Sequence, residues 1–179
     1  MDRPVPAANL QRALGAAQAL LGGRLSLSLA VREQHGKDQT WNEGQPPDAV
    51  AFVHSTDEVQ ALVKICAEEK VPVIAYGTGT SLEGHFVAVN GGICIDLSGM
   101  NTILEVNVED QDCRVQAGVT RKALNAALRD QGLFFPIDPG ADASLGGMAA
   151  TRASEPTRCV MAPCAKTSWG LPWFLPMAG

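Results

Sequence analysis

Several things are scarce in this sequence, and each scarcity removes a class of function. There are three histidines and five cysteines in 179 residues, with no C-x-x-C pair and no metal-ligand spacing of His35, His54 and His85. Structural and catalytic zinc sites are built from such spacings, so none is expected. Lys and Arg number 14 against 19 Asp and Glu, giving a net charge of −5, and the basic residues are scattered. A nucleic-acid binder needs a basic stripe or patch, so nucleic acid is not an expected partner. No apolar run approaches the ~18–20 residues that span a bilayer. Asp2 and Pro4 stand where a secretory signal would carry basic residues ahead of an apolar run, so a cytoplasmic location is expected. Charged residues make up only 18% against 46% hydrophobic, which excludes a disordered chain and implies a packed core.

What is abundant is glycine, 18 in all, and it is concentrated where it matters. The stretch YGTGTSLEGH (76–85) follows directly on the apolar run VPVIA (71–75). Glycine permits φ > 0 and lets a ligand approach the backbone closely. Successive unpaired N–H groups form a concavity suited to phosphate oxygens. The spacing matches neither G-x-G-x-x-G nor G-x-x-x-x-G-K-[ST], so an ordinary glycine-rich turn remains open on this stretch alone.

Along the chain, residues 7–21 have helical spacing at Leu10, Leu14 and Leu21, closed by Gly22-Gly23. LSLSLAV (25–31) alternates and predicts a short strand, followed by a polar loop to Asp48. Residues 48–53 predict a strand. Ser55-x-x-Glu58 predicts a capped helix to about Lys70, with Val59, Leu62, Val63 and Cys66 on one face. VPVIA and GGICIDLSGM (91–100) predict two more strands, and residues 102–117 a hairpin with EDQD at its tip. Thr120 caps a further helix, which Gly132 ends. Cys66, Cys94 and Cys113 read as small buried hydrophobes. The order predicts an α+β fold. A hairpin stands after the glycine loop where a doubly wound dinucleotide fold would place a helix.

A second dense segment is PIDPGADASLGGMAATRAS (136–154). Asp142 and Ser144 are natural N-caps for a small-residue helix, and Gly146-Gly147 would admit a flat ligand or a neighbouring backbone. Asp138 and Asp142 suit turn and capping roles better than a catalytic acid pair.

Taken together, PDAVAFVHSTDEVQ (47–60), VPVIAYGTGTSLEGH (71–85) and QAGVTRKALNAALRDQGLFFPIDPGADASLGGMAAT (116–151) resemble the FAD-linked oxidase family. Its domain is the PCMH-type, vanillyl-alcohol-oxidase-like FAD-binding domain. The likeness is strongest to cytochrome-linked D-lactate dehydrogenases and glycolate oxidase flavoprotein subunits. It runs from about Arg32 to Ser154, with residues 1–31 as a helical lead-in. The resemblance implies an α+β fold of two subdomains with FAD between them. It implies a diphosphate cradle of Gly77, Thr78, Gly79, Thr80, Ser81 and Leu82. It also implies a second cofactor segment of Pro139, Gly140, Ala141, Ser144, Gly147, Thr151 and Ser154. The activity implied is oxidation of a D-2-hydroxy acid, D-lactate or glycolate, with electrons passed to cytochrome or quinone. The location implied is the cytoplasm or the periphery of the inner membrane. No catalytic residue and no metal ligand is carried over.

After Ser154 the resemblance is expected to stop. Residues 155–179 hold four prolines, two cysteines and two of the three tryptophans without periodicity. Relatives continue approximately S-G-T-N-A-V-R-Y-G-T-M-R. Loss of one G from codons for that continuation reads out E-P-T-R-C-V-M-A-P-C, the tail observed. A frameshifted, truncated FAD domain is therefore expected, inactive alone toward D-lactate. The alternative is a non-catalytic FAD-binding remnant.

Overall fold

The computed structural model describes residues 5–38, 40–41 and 43–153. Ser154 and the expected frame break lie outside the described residues. Helix α1 (Ala7–Leu21) buries Ala13, Ala17 and Leu21, with Leu10 and Leu14 at the margin of the core. Alanines on the buried stripe let it lie close against helix α3 (Thr56–Glu69), where Asn9 Nδ2 donates to the Glu69 carbonyl at 2.9 Å.

The strand expected over residues 25–31 is only Leu25–Ser26 (β1), and Leu29–Gln34 forms helix α2 instead. The alternation there is not a buried face: Leu27 and Leu29 are 54% and 58% exposed. With no inward row to fix an extended register, residues 29–34 take the helix that Leu, Ala, Arg, Glu and Gln favour.

Strands β1, β2 (Ala49–Phe52), β3 (Val73–Tyr76) and β4 (Ile93–Asp96) form one sheet in the order β1-β2-β4-β3. β4 runs parallel to both β2 and β3, and β1 is antiparallel to β2. Strand periodicity sends alternate residues to opposite faces. Ala49, Ala51, Val53, Ile93 and Ile95 pack under α1 and α3, with Leu62 and Cys66 of α3 fully buried among them. Val50, Ile74 and Cys94 face the other way, against Phe86 and Ala88. Burial pushes the Cys66 thiol up to about 11 and that of Cys94 up to about 12, so both are inert apolar filling. Cys113 is exposed, contrary to expectation, because it lies on a hairpin strand open to solvent.

Ser55 caps α3 by accepting from the Glu58 N–H, as the S-x-x-E pattern predicts. The Glu58 carboxylate reaches one residue further back, accepting from His54 N at 2.8 Å, and takes Arg24 Nη2 at 2.5 Å. These bonds, from Arg24 first, hold its carboxyl at about 2 against an ordinary 4.5. A folded-state pKa below the unfolded one gives stability that is complete above about pH 4.5 and is lost as pH falls toward about 2. Glu58→Gln should therefore lower stability at neutral pH and flatten that acid limb in urea titrations. An unchanged limb would show that Arg24 does not hold the carboxylate in solution.

The second subdomain begins with the antiparallel hairpin β5 (Ile103–Asn107) and β6 (Asp112–Val115). Helix α4 (Arg121–Arg129) starts at Thr120, whose hydroxyl accepts from Ala123 N. Helix α5 (Leu145–Ala150) starts at Ser144. Val119, Leu124, Leu128, Ile137, Leu145 and Met148 form its core, with Ile103, Val106 and Val115 of the hairpin packed on it. Gly118 joins the two halves: its N–H donates to the Met100 carbonyl at 2.8 Å.

Candidate functional site

Parallel neighbours need a crossover, and a helix usually supplies it because a helix satisfies its own backbone. The β3-to-β4 crossover, residues 77–92, contains no helix. Its second half is tied down by backbone bonds, from Val87 N to Gly84 O, Ala88 N to Gln45 O and Gly91 N to Ala88 O. Its first half is not. Among the described residues, no acceptor takes the N–H of Gly77, Thr78, Gly79, Thr80, Ser81 or Leu82. Six successive donors, five of them in half-buried residues, are thus open to solvent or to a ligand. Buried backbone groups are almost always paired, with protein or with water.

The loop is shaped by what it leans on. Gly79 has φ +65, and a Cβ there would overlap the Tyr76 hydroxyl. At Gly77 a Cβ would overlap Ser144 Oγ. The two segments singled out in the sequence therefore meet, with Gly77 packed directly on the N-cap of α5. Thr78 and Thr80 share a hydrogen bond at 3.2 Å between their hydroxyls. Ser81 Oγ is bonded to His85 Nδ1 at 2.7 Å. Leu82 does not pack as a bland apolar residue would; it is 63% exposed at the loop's outer edge.

The second segment is differently built. Asp138 Oδ1 accepts from Gly140 N at 2.8 Å, and its Oδ2 lies 2.9 Å from Arg121 Nη1. Asp142 does not cap the helix that follows it. It accepts from Lys122 N at 3.0 Å and so caps α4, because Ala143 and Ser144 pair with the start of α4 and turn the Asp142 side chain that way. The first-turn amides of α5 are already used, Leu145 N by Val119 O, Gly146 N by Ala117 O and Gly147 N by Ser144 Oγ. Thr151 Oγ1 donates back to the Gly147 carbonyl at 3.0 Å. Pro139, Gly140 and Gly147 are exposed and Ala141 half-buried. This segment offers surface and shape, whereas the loop offers donors.

One constellation was not anticipated. His35, buried at the end of α2, places Nε2 2.8 Å from Asp96 Oδ2 and Nδ1 2.8 Å from the Val31 carbonyl. A carbonyl only accepts, so Nδ1 carries a proton, and Nε2 faces the Asp96 carboxylate. The ring lies on Tyr76 at 4.3 Å between centroids and edge-on to Phe52. Phe52, Tyr76 and Asp96 end β2, β3 and β4 in register, so this cluster immediately precedes Gly77, the first residue of the loop. Burial, and then the charge of Asp96, push the Tyr76 phenol up. The sequence signal was Asp96 itself: a carboxylate closing the apolar run ICID needs a buried partner.

Among the described residues, no three His, Cys, Asp or Glu side chains come together as a metal site, and no helix is long and apolar enough to cross a membrane.

The FAD binding domain family matches residues 47–166, which takes in the loop, α5 and part of the stretch beyond Ser154. A probable mitochondrial D-lactate dehydrogenase of Danio rerio is 49% identical over 148 residues, covering 82% of this chain and 30% of its own length. A D-2-hydroxyglutarate dehydrogenase of Xanthomonas citri pv. viticola is 38% identical over 144 residues, covering 79% and 30%. The crystal structure of p-cresol methylhydroxylase with substrate bound superposes with a TM-score of 0.73 at 23% identity, over 86% of this chain and 32% of that one. It shares the α+β, vanillyl-alcohol-oxidase-like fold. The chain spans less than a third of each of these proteins. A loop of bare amides fits the diphosphate of a dinucleotide, and the family match spans that loop and the segment packed on it: the chain belongs to the FAD binding domain family, whose cofactor is FAD.

Proposed function

We propose that this chain is the FAD-binding part of a D-2-hydroxy acid dehydrogenase, with D-lactate as its first substrate candidate and cytochrome or quinone as electron acceptor. The observation that carries the reading is the run of unpaired N–H groups from Gly77 to Leu82, set at the C-terminal end of β3. Ligands of parallel sheets gather at that end of the strands. In this reading Gly77, Thr78, Gly79, Thr80, Ser81 and Leu82 hold the diphosphate. Pro139, Gly140, Ala141, Ser144, Gly147 and Thr151 shape the wall beside it, and Ser154, outside the described residues, is assigned to the same segment by the resemblance alone. The domain spans residues 32–154. FAD, when bound, supplies the hydride acceptor; the protein supplies position and electrostatics. Relatives named for D-lactate and for D-2-hydroxyglutarate support the hydroxy-acid class.

Oxidation of a hydroxy acid also needs a base for the hydroxyl proton, worth ~10²–10⁴-fold. Both ring nitrogens of His35 are hydrogen-bonded, and Nδ1 of His85 is bonded to Ser81. We expect this chain to bind FAD yet to bleach it only slowly with D-lactate. Anaerobic mixing of FAD-loaded protein with D-lactate, L-lactate and D-2-hydroxyglutarate tests this. Rapid, D-specific bleaching would place the base within this chain. Failure to retain FAD would remove the reading altogether.

A further inference from the structure

The proposed diphosphate cradle has an electrostatic oddity. From Val71 to Cys113 the sequence contains no lysine or arginine, and the one charged side chain on the loop is acidic, Glu83. An anion site beside an unneutralised carboxylate works against itself. His85 stands between the two. Its Nε2 is 3.4 Å from Glu83 Oε2 and its Nδ1 is 2.7 Å from Ser81 Oγ. These are the ring's partners among the described residues, and both lie on its own loop. Tyr76, the titratable group that lines the loop from β3, sits at Gly79.

The direction of each hydrogen bond follows from what the atoms can do. At 3.4 Å between exposed groups the Nε2–Glu83 contact is an ion-pair distance rather than a hydrogen bond, and an ionised carboxylate there favours the neutral tautomer that carries its proton on Nε2. Nδ1 is then bare and takes the Ser81 hydroxyl proton. In that state Ser81 offers a phosphate only lone pairs, and Glu83 keeps most of its charge. One proton added at Nδ1 reverses the bond: Nδ1–H donates to Ser81 Oγ, and the Ser81 hydroxyl proton is released to point elsewhere.

We propose that His85 is a proton-operated positioning residue of the diphosphate clasp, freeing the Ser81 hydroxyl to donate to a phosphate oxygen and neutralising Glu83 when it becomes imidazolium. This rests on the assignment of residues 77–82 as the cradle. FAD affinity then rises as pH falls through the range in which histidine gains charge. Binding is reciprocal with protonation, so FAD makes His85 harder to deprotonate.

The test is titration of the full chain with FAD, followed by flavin fluorescence at constant ionic strength. A hydrogen bond to a charged acceptor predicts that binding tightens about tenfold from about pH 8 to about pH 5.5. His85→Gln, which cannot change charge, should bind FAD with a flat profile over that range. Ser81→Ala should lose most of the gain at low pH while Glu83 is still neutralised. Ring proton signals of His85, followed by NMR, should titrate at higher pH with FAD than without it. A wild-type affinity independent of pH, or a slope that survives in His85→Gln, would overturn the proposal while leaving the cradle intact. No FAD binding at any pH would instead remove the cradle, and the proposal with it.

Discussion

Replacing Gly79 with valine abolishes FAD retention in a protein that still folds. Two independent effects act at that position. The backbone sits at φ +65, a region closed to β-branched residues at a cost of roughly 1–3 kcal/mol. The new side chain would also run into the Tyr76 hydroxyl, and Tyr76 cannot swing away freely because His35 and Phe86 pack on its ring. The loop must therefore re-form, and the unpaired N–H groups of residues 77–82, proposed above to hold the diphosphate, are displaced. The first core lies beneath α1 and α3, away from Gly79, so the fold survives the change. The measurement is flavin stoichiometry on gel-filtered protein together with circular dichroism. Full FAD occupancy in a natively folded Gly79→Val protein would refute the cradle.

Gly118→Ala acts on stability instead. A Cβ at this position would overlap the Leu97 carbonyl and lie 2.8 Å from that of Met100. Both obstacles are backbone, in the turn that follows β4, so no side-chain rotation relieves them. The loss should reach roughly 3 kcal/mol, the upper end for overpacking in a close-packed interior. Because this contact joins the sheet to the second subdomain, unfolding in urea should also become less cooperative, with the midpoint lowered. A midpoint within error of wild type would mean that the turn yields easily.

The elements that could be read from the sequence are those whose signals are local. Ser55, Thr120 and Ser144 each announced a helix start by side-chain capping, and all three caps are formed. The parallel strands were legible as short apolar runs, and the hairpin as alternation around EDQD. Two features were not legible, for related reasons. The helix at Leu29–Gln34 is six residues long, too short for periodicity to distinguish it from alternation. The cap made by Asp142 crosses twenty residues of chain to Lys122, and only tertiary pairing reveals its target. The His35–Asp96 bond spans a still longer separation, 61 residues, and joins a polar stretch to a strand end. The glycine loop showed its composition in advance, but which amides stay unpaired depends on where residues 83–92 find their partners.

The position of β4 has a consequence for how the domain comes into being on the ribosome. β2 and β3 emerge first, yet they are not neighbours; the strand between them is made last. Until Ile93–Asp96 is available, β2 lacks its partner on one side and β3 lacks its partner altogether. Open strand edges of this kind recruit other chains. The nascent domain therefore passes through a stage in which two apolar strands wait, and insertion of β4 closes both edges at once. The same event fixes both ends of the glycine loop, at β3 and at β4, so the unpaired amides of residues 77–82 are positioned only when the vulnerable stage is over. Flavin that binds at that point selects chains whose sheet is complete and holds them there by mass action.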